Sequence, residues 1–276
     1  MNEFPLRLSI AAILAAAIAF AAVRARSLAP SGAIAAVVVG AAIVTGGGWW
    51  AGFMLVAFFA TSSALSRIAR GRTDQAQVRG SRRDAVQVLA NGSVATIAAL
   101  TMPLLATDFA TLAFAAVCGA LATATADTWA TEIGRGSTRP PISIATGKPV
   151  TPGVSGGITP RGTFGALAGA ALIALLAGAG VRLDLIPSVG SIAPLTLVVV
   201  TLAAGFLGSI VDSVLGATIQ TSYRCSVCGA CTEQHHHCDR ATIRSKGLRA
   251  VNNDAVNWLA TAAGAGSSIV LAAALG

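Results

Sequence analysis

"FATLAFAAVCGALATATADTWATE", residues 109–132, decides how this chain is read. No charged side chain lies between Asp108 and Asp127, and the run is rich in alanine, with leucine, phenylalanine and threonine. A helix of about 20 such residues crosses the ~30 Å hydrocarbon core of a bilayer. The run then ends on two carboxylates, Asp127 and Glu132, with a tryptophan between them. Ionisable groups at membrane depth are costly and mark functional positions. One stretch therefore supplies both the fold class and the first candidate site.

The rest of the chain agrees with a membrane setting. Of 276 residues, 54% are hydrophobic and only 11% charged, and the mean hydropathy is +0.73. An average soluble domain is about 25% charged, so this chain could not cover a water-facing surface. The reading is an all-α, polytopic integral membrane helix bundle forming a single domain over residues 1–276. Abundant alanine and glycine with few aromatics suits helices that pack closely through small residues. A net charge of +8 would suggest nucleic acid in a soluble protein. Here it is read as a topology signal and as attraction for anionic lipid or phosphate, and no nucleic-acid partner is expected. No cleavable signal peptide is expected either, because residues 6–23 are long enough to span and no convincing small-residue cleavage site follows.

Eight candidate spans follow from the apolar runs: 6–23, 30–46, 48–66, 85–106, 109–131, 161–181, 190–220 and 250–275. The tight Gly46-Gly47-Gly48 turn separates the second from the third. The seventh is too long for one simple span, and its Gly205, Gly208 and Gly216 predict a kink or an extension beyond the membrane. Basic residues sort these spans. Arg24 and Arg26 follow the first. Arg67, Arg70, Arg72, Arg79, Arg82 and Arg83 lie between the third and fourth, Arg135, Arg139, Lys148 and Arg161 between the fifth and sixth. Arg224, Arg240, Arg244, Lys246 and Arg249 join the seventh to the eighth, while the other connections hold only Arg182. With eight spans every basic connection falls on one side. The positive-inside rule makes that side cytoplasmic and puts both termini outside. The expected location is the cell (cytoplasmic) membrane, with the site facing the cytoplasm.

Polar residues gather at that same side. Asp127 and Thr131 are four apart and share a helix face with Thr123, whereas Glu132 is rotated about 140° from Asp127. Arg83, Gln87 and Asn91 form a stripe entering the fourth span. "GFLGSIVDSVLGATIQ", residues 205–220, repeats Gly208, Asp212 and Gly216 every four positions, with Ser209 and Ser213 beside them and Gln220 at its end. Asn253, Asp254 and Asn257 open the eighth span. "GVSGGITPRGTFG", residues 153–165, brings Gly156, Gly157, Thr159 and Arg161 to a helix start, with Lys148 just before. Glycine amides and a helix dipole at such a turn suit a phosphate.

Each feature has a plain structural explanation in helix glue, capping or topology. Their convergence on one membrane face, by a topology derived from other residues, points to a site. Carboxylates with asparagine and glutamine oxygens are hard ligands of the kind Mg²⁺ takes, and arginines, a lysine and glycine amides suit phosphate. There is no serine elbow, and no P-loop, because "SGGITPRGTFG" lacks the GK[ST] ending. Positioning and charge neutralisation then carry the chemistry, as they do in phosphoryl transfer. The rival readings are a transporter or flippase of a phosphorylated lipid, which also uses intramembrane carboxylates, and a non-catalytic membrane scaffold.

"YRCSVCGACTEQHHHC", residues 223–238, is a second kind of site. Cys225 and Cys228 make a CxxC knuckle, and Cys238 with one of His235, His236 or His237 completes a tetrahedral Zn²⁺ set. Cys231 competes; the assigned set is Cys225, Cys228, His237 and Cys238. A cytoplasmic loop favours metal over disulfide, and a closed four-ligand site is structural. The cysteine/histidine loop, residues 222–240, is read as a small zinc-knuckle-like insertion between spans seven and eight.

"ADTWATEIG", "SGGITPRGTFGALAG", "GFLGSIVDSVLGATIQ", "YRCSVCG" with "HHC", and "NNDAVNW" together resemble the family called domain of unknown function 92, in order and over nearly the whole chain. That family includes transmembrane protein 19 and phytyl-phosphate kinase. It is similar, more distantly, to CTP-using lipid kinases, whose acidic "GDT" is "ADT" here through Ala126. The resemblance implies a membrane-embedded prenyl-phosphate kinase. Such an enzyme moves a phosphoryl group from a CTP-type nucleotide triphosphate to an isoprenoid monophosphate such as phytyl or geranylgeranyl phosphate. It also implies roles. Asp127 and Asp212 become Mg²⁺-linked carboxylates. Asn91, Asn253 and Asn257 become polar ligands to metal or phosphate, and Lys148, Gly156, Gly157 and Arg161 hold phosphates.

Overall fold

In the computed structural model, residues 3–70, 82–186, 189–190 and 192–276 are described. Arg72 and Arg79, read above as topology signals, lie outside the described residues. Among the described residues, seven helices are long and apolar enough to cross a membrane: α1 (Glu3–Arg24), α2 (Pro30–Arg70), α3 (Ala85–Thr101), α4 (Thr107–Gly134), α5 (Pro160–Arg182), α6 (Pro194–Thr218) and α7 (Asn253–Leu275).

Helix α2 is two passes, not one. A straight helix would put Pro30 and Arg67 about 55 Å apart. Instead the Arg67 guanidinium donates to Ser27 Oγ at 2.8 Å, beside the start of the same helix. The reversal is at Gly48, whose φ of 82° and ψ of 175° break the helical path. That φ lies in the region open chiefly to glycine. Beyond it Val44 packs directly on Gly52. The glycine triplet thus folds α2 into a hairpin, giving eight membrane-length segments, as the basic-residue pattern required.

The bundle is built around α4. Nearly every residue from Ala110 to Ala126 is buried, and α2, α3, α5, α6 and α7 all pack on it. Such contact needs small side chains. Thr123 of α4 lies between Gly208 of α6 and Gly264 of α7, and a Cβ at either glycine would fall on the Thr123 side chain. Three helices begin at the basic face with side-chain caps. Asp84 accepts from Gln87 N, Thr159 from Gly162 N, and Asn252 from Ala255 N, satisfying donors that helix starts leave open.

Span seven departs from expectation. The expected kink is absent: α6 is one helix of 25 residues from Pro194 to Thr218. Its glycines serve contact: Gly205 meets Ala122, Gly208 meets Thr123, and Gly216 meets the backbone at Gly156. The long apolar run includes the approach to Pro194, which starts the helix at a fixed φ. Strands are short and confined to connections. β1 (Ile142–Ser143) pairs with β2 (Gly157–Ile158). Between α6 and α7, β3 (Ser222–Arg224) pairs with both β4 (Cys231–Thr232) and β7 (Ile243–Lys246), and β5 (His236–His237) pairs with β6 (Arg240–Ala241). The folded insertion therefore runs on to Lys246, past the 222–240 boundary.

Candidate functional site

A cavity of about 1240 Å³ opens at the basic face, walled by α2 to α7 and by the two β-containing connections. At its floor are Asp127, about two turns before the end of α4, and Asp212, at similar depth in α6. Their carboxyl groups are within hydrogen-bonding reach of each other. Asn257, from the first turns of α7, donates its side-chain nitrogen to Asp212 Oδ2 at 3.1 Å, in the amide orientation that also satisfies Asn253 O. Two carboxylates this close in a poorly solvated place repel unless a proton or a cation lies between them. The donor set, carboxylate and amide oxygens, is the kind a hard divalent ion takes.

The predicted residues mostly meet here. Arg83, Gln87 and Asn91 line the wall from the start of α3, and Thr131 and Glu132 from the end of α4. Gly156, Gly157 and Thr159 line it from the loop before α5, Ser209 and Gln220 from α6 and its exit, and Asn253 and Asn257 from α7. Arg83 is held over Phe58 and Phe59 and donates to Ser63 Oγ at 3.3 Å. Asn91 commits its side-chain nitrogen to Gln87 O. Glu132 faces another way from Asp127: it accepts from Ser66 Oγ at 2.7 Å and from Arg135 at 2.6 Å.

Three predicted residues are not on the cavity wall. Lys148 is exposed at the tip of its loop. Arg161 donates to Gly136 O at 2.8 Å, so it ties the start of α5 to the turn just after α4. Asp254 lies on the outer side of α7, in a shallow groove against Val86 and Leu89 of α3. The glycine-rich loop is also more occupied than a free-amide cradle. The Gly157 amide donates to Val154 O, and Gly156, at φ 79°, sits against the backbone of Ala217.

Sequence reading missed Glu233, Ser155, Arg139 and Arg249. Glu233 projects from the turn after β4, and its Oε1 accepts from Ser155 Oγ at 2.8 Å and from Gln220 Nε2 at 2.7 Å. It is near enough for its charge to act on both Asp127 and Asp212. Arg139 and Arg249 line the mouth, and neither guanidinium has a hydrogen-bond or ion-pair partner among the described residues. Arg139 and Arg249 had been read only as topology signals. A glutamate inside a cysteine/histidine loop carries no local mark of a partner far along the chain.

The cysteine loop does gather its expected ligands. The donor atoms of Cys225, Cys228, His237 and Cys238 all lie within 4.8 Å of one another. His237 Nδ1 is 3.5 Å from Cys228 Sγ and 3.2 Å from Cys238 Sγ. His235 is turned instead onto Tyr223, ring to ring at 4.6 Å, and Cys231 is outside the cluster. Backbone amides of Cys228 and Val227 point at Cys225 Sγ and bring its thiol from its ordinary 9 down to about 6. Cys238 is pushed up to about 11, mainly by its contact with Cys228.

Residues 13–265 match the family described as integral membrane protein DUF92. Among curated proteins, the chain is similar to the one named Protein PGR from Arabidopsis thaliana. It is 33% identical over 241 residues, which are 80% of this chain and 82% of that protein. No solved structure matches it.

Proposed function

The chain belongs to the DUF92 family of integral membrane proteins, and from that premise we propose that it is a prenyl-phosphate kinase. It transfers a phosphoryl group from a nucleotide triphosphate of the CTP type to an isoprenoid monophosphate such as phytyl or geranylgeranyl phosphate. The observation that carries this reading is the Asp127–Asp212 pair at the floor of the cavity that opens at the basic face, about two turns from the ends of α4 and α6. A cavity open at that face would admit a water-borne nucleotide and lies near the end of the spans, where a lipid phosphate would sit.

In the transfer, an oxygen of the isoprenoid phosphate bonds to the γ-phosphorus, and the bond from that phosphorus to the β-phosphate oxygen breaks. The nucleoside diphosphate leaves with the electron pair. An acceptor already ionised near neutral pH needs no base. Asp127 and Asp212 would hold a divalent cation such as Mg²⁺, which would supply charge neutralisation for the phosphates, and Asn257 fixes the orientation of Asp212. Arg83, Arg139 and Arg249 offer guanidinium groups to phosphate oxygens along the wall. Transport is less well supported, because these carboxylates lie near one face, while α4 beyond them is packed from Ala110 to Ala126.

The test is phosphate transfer in detergent with purified protein, Mg²⁺, radiolabelled CTP or ATP, and geranylgeranyl or phytyl phosphate, with Asp127→Ala alongside. Labelled diphosphate that disappears in the variant is expected. No product with either nucleotide over several chain lengths, from folded protein, overturns the kinase and leads to flux measurements in liposomes.

A further inference from the structure

The cysteine/histidine hairpin forms part of the cavity wall, and one of its side chains ties it to the rest of that wall. Glu233 lies between the halves of the cluster, after Cys225 and Cys228 and before His237 and Cys238. Its Oε1 receives two hydrogen bonds from elsewhere in the chain. One comes from Ser155 in the glycine-rich loop. The other comes from Gln220, 2% exposed, at the exit of α6. Gln220 Nε2 also donates to Ser155 Oγ at 3.1 Å, closing a three-membered network. Charge-assisted bonds of this kind are among the stronger polar contacts. The strands that carry Glu233 are two to four residues long, and such a hairpin does not hold its shape unaided.

What can hold it is the cluster. Tetrahedral zinc with sulfur and nitrogen ligands sets donor atoms about 3.5–3.8 Å apart. The separations of 3.5 and 3.2 Å around His237 are close to that, and the amide-to-sulfur contact from Val227 N to Cys225 Sγ at 3.4 Å is formed. Gly229 at φ 72°, and Cys238 and Asp239 at φ 50° and 55°, shape the two knuckles around the four donors.

We propose that a zinc-class ion bound by Cys225, Cys228, His237 and Cys238 latches the cavity, by fixing the hairpin so that Glu233 pins the Ser155 loop and Gln220 against the end of α6. Glu233 is then a positioning residue, and metal occupancy in the water-exposed hairpin controls the wall that faces the phosphates. The functional consequence rests on the nucleotide-site reading of the cavity; the latch itself does not.

Full-length protein in detergent is compared zinc-loaded and after chelation, by metal analysis and by hydrogen exchange read by mass spectrometry. Stoichiometric zinc, lost in Cys228→Ser and retained in Cys231→Ser, is expected. Chelation speeds amide exchange over residues 153–157 by about tenfold, the scale of one charge-assisted hydrogen bond, with the membrane helices unchanged. Glu233→Ala keeps its zinc and reproduces the faster exchange in that loop. Glu233→Gln, whose carbonyl still accepts from Ser155 and Gln220, restores most of the protection. Where turnover is measured, chelation raises the nucleotide KM and leaves kcat nearly intact. Absence of zinc, a 153–157 segment indifferent to its removal, or Glu233→Gln behaving as Glu233→Ala overturns the latch. Exchange and metal content need no turnover. A working latch without phosphate transfer therefore counts against the kinase alone, and transfer without the exchange response counts against the latch alone.

Discussion

Asp127 and Asp212 are carried by two of the membrane-spanning helices, whereas Cys225, Cys228, His237 and Cys238 hang from a hairpin of very short strands. The two clusters line or adjoin one cavity yet are made on different terms. The carboxylates are held by the packing of α4, α6 and α7, in which Thr123 is clasped between Gly208 and Gly264 one turn below Asp127. The sulfur cluster has less packing to lean on, since Cys228 and Cys238 are exposed and Cys225 alone of its cysteines is buried, so the latch makes its geometry depend on the bound ion. On the proposed function, a rigid oxygen site would suit repeated loading with a nucleotide-borne ion, and a metal-dependent sulfur site would suit permanent occupancy.

The sharpest way to break this contrast is at the floor. Asp127→Asn and Asp212→Asn each remove the charge and keep the shape. Transfer activity is expected to fall about 10³-fold or more, as when a preorganised charge contact to a reacting phosphate is lost. Zinc content and the thermal transition in detergent should stay unchanged. A residual activity within tenfold of the parent would mean that the pair is helix glue.

Removing metal from the hairpin is expected to do less to the reaction and more to local structure. Cys238→Ser loses zinc and raises the nucleotide KM about tenfold, with kcat within about twofold. Acid should have the same effect as the substitution. Cys225, with its thiol lowered from 9 to about 6, favours the thiolate form fully above pH 9 and loses that contribution as pH falls through 6. Zinc should therefore leave on acidification and not on moderate alkalinisation. Metal analysis after dialysis at a series of pH values measures it.

Packing beneath the carboxylates gives a third test. Gly264→Ala puts a methyl group onto Thr123, and overpacking of this kind costs about 1–3 kcal/mol. The thermal transition should fall, and adding Thr123→Ala should return much of the loss, a coupling that distant sites do not show. Additive effects would mean that the clasp around Thr123 does not set the floor.

These differences follow what was legible in the chain. Apolar runs and basic connections are summed properties, so eight passes and one basic face were readable, including the reversal at Gly48. Asp127, Asp212 and Asn257 were readable because a polar group amid apolar neighbours stands out. The CxxC spacing was readable because metal ligation imposes it locally. Long-range pairing was not. Arg161 looked like a phosphate ligand because it follows a glycine-rich loop, but it is committed to Gly136 O, 25 residues earlier. Glu233 looked like an ordinary loop residue, but its partner Ser155 is 78 residues away. Span seven looked overlong because hydropathy does not register that Pro194 starts the helix.

The smallest expected effect is at Glu132, and it bears directly on where the floor ends. Its position five residues after Asp127 made it a candidate for the reaction, but the helix turns it toward Ser66 and Arg135. The Arg135 side chain is 37% exposed, and ion pairs in such settings contribute about 0–1 kcal/mol. Gln at position 132 keeps an oxygen for the Ser66 hydroxyl and gives up only that pair. Glu132→Gln should therefore change transfer rate and nucleotide KM by less than about threefold, the difference shrinking further as salt screens Arg135. A loss as deep as that of Asp127→Asn would place a third carboxylate in the reaction, and the floor would then extend across α4 to the second arm of α2.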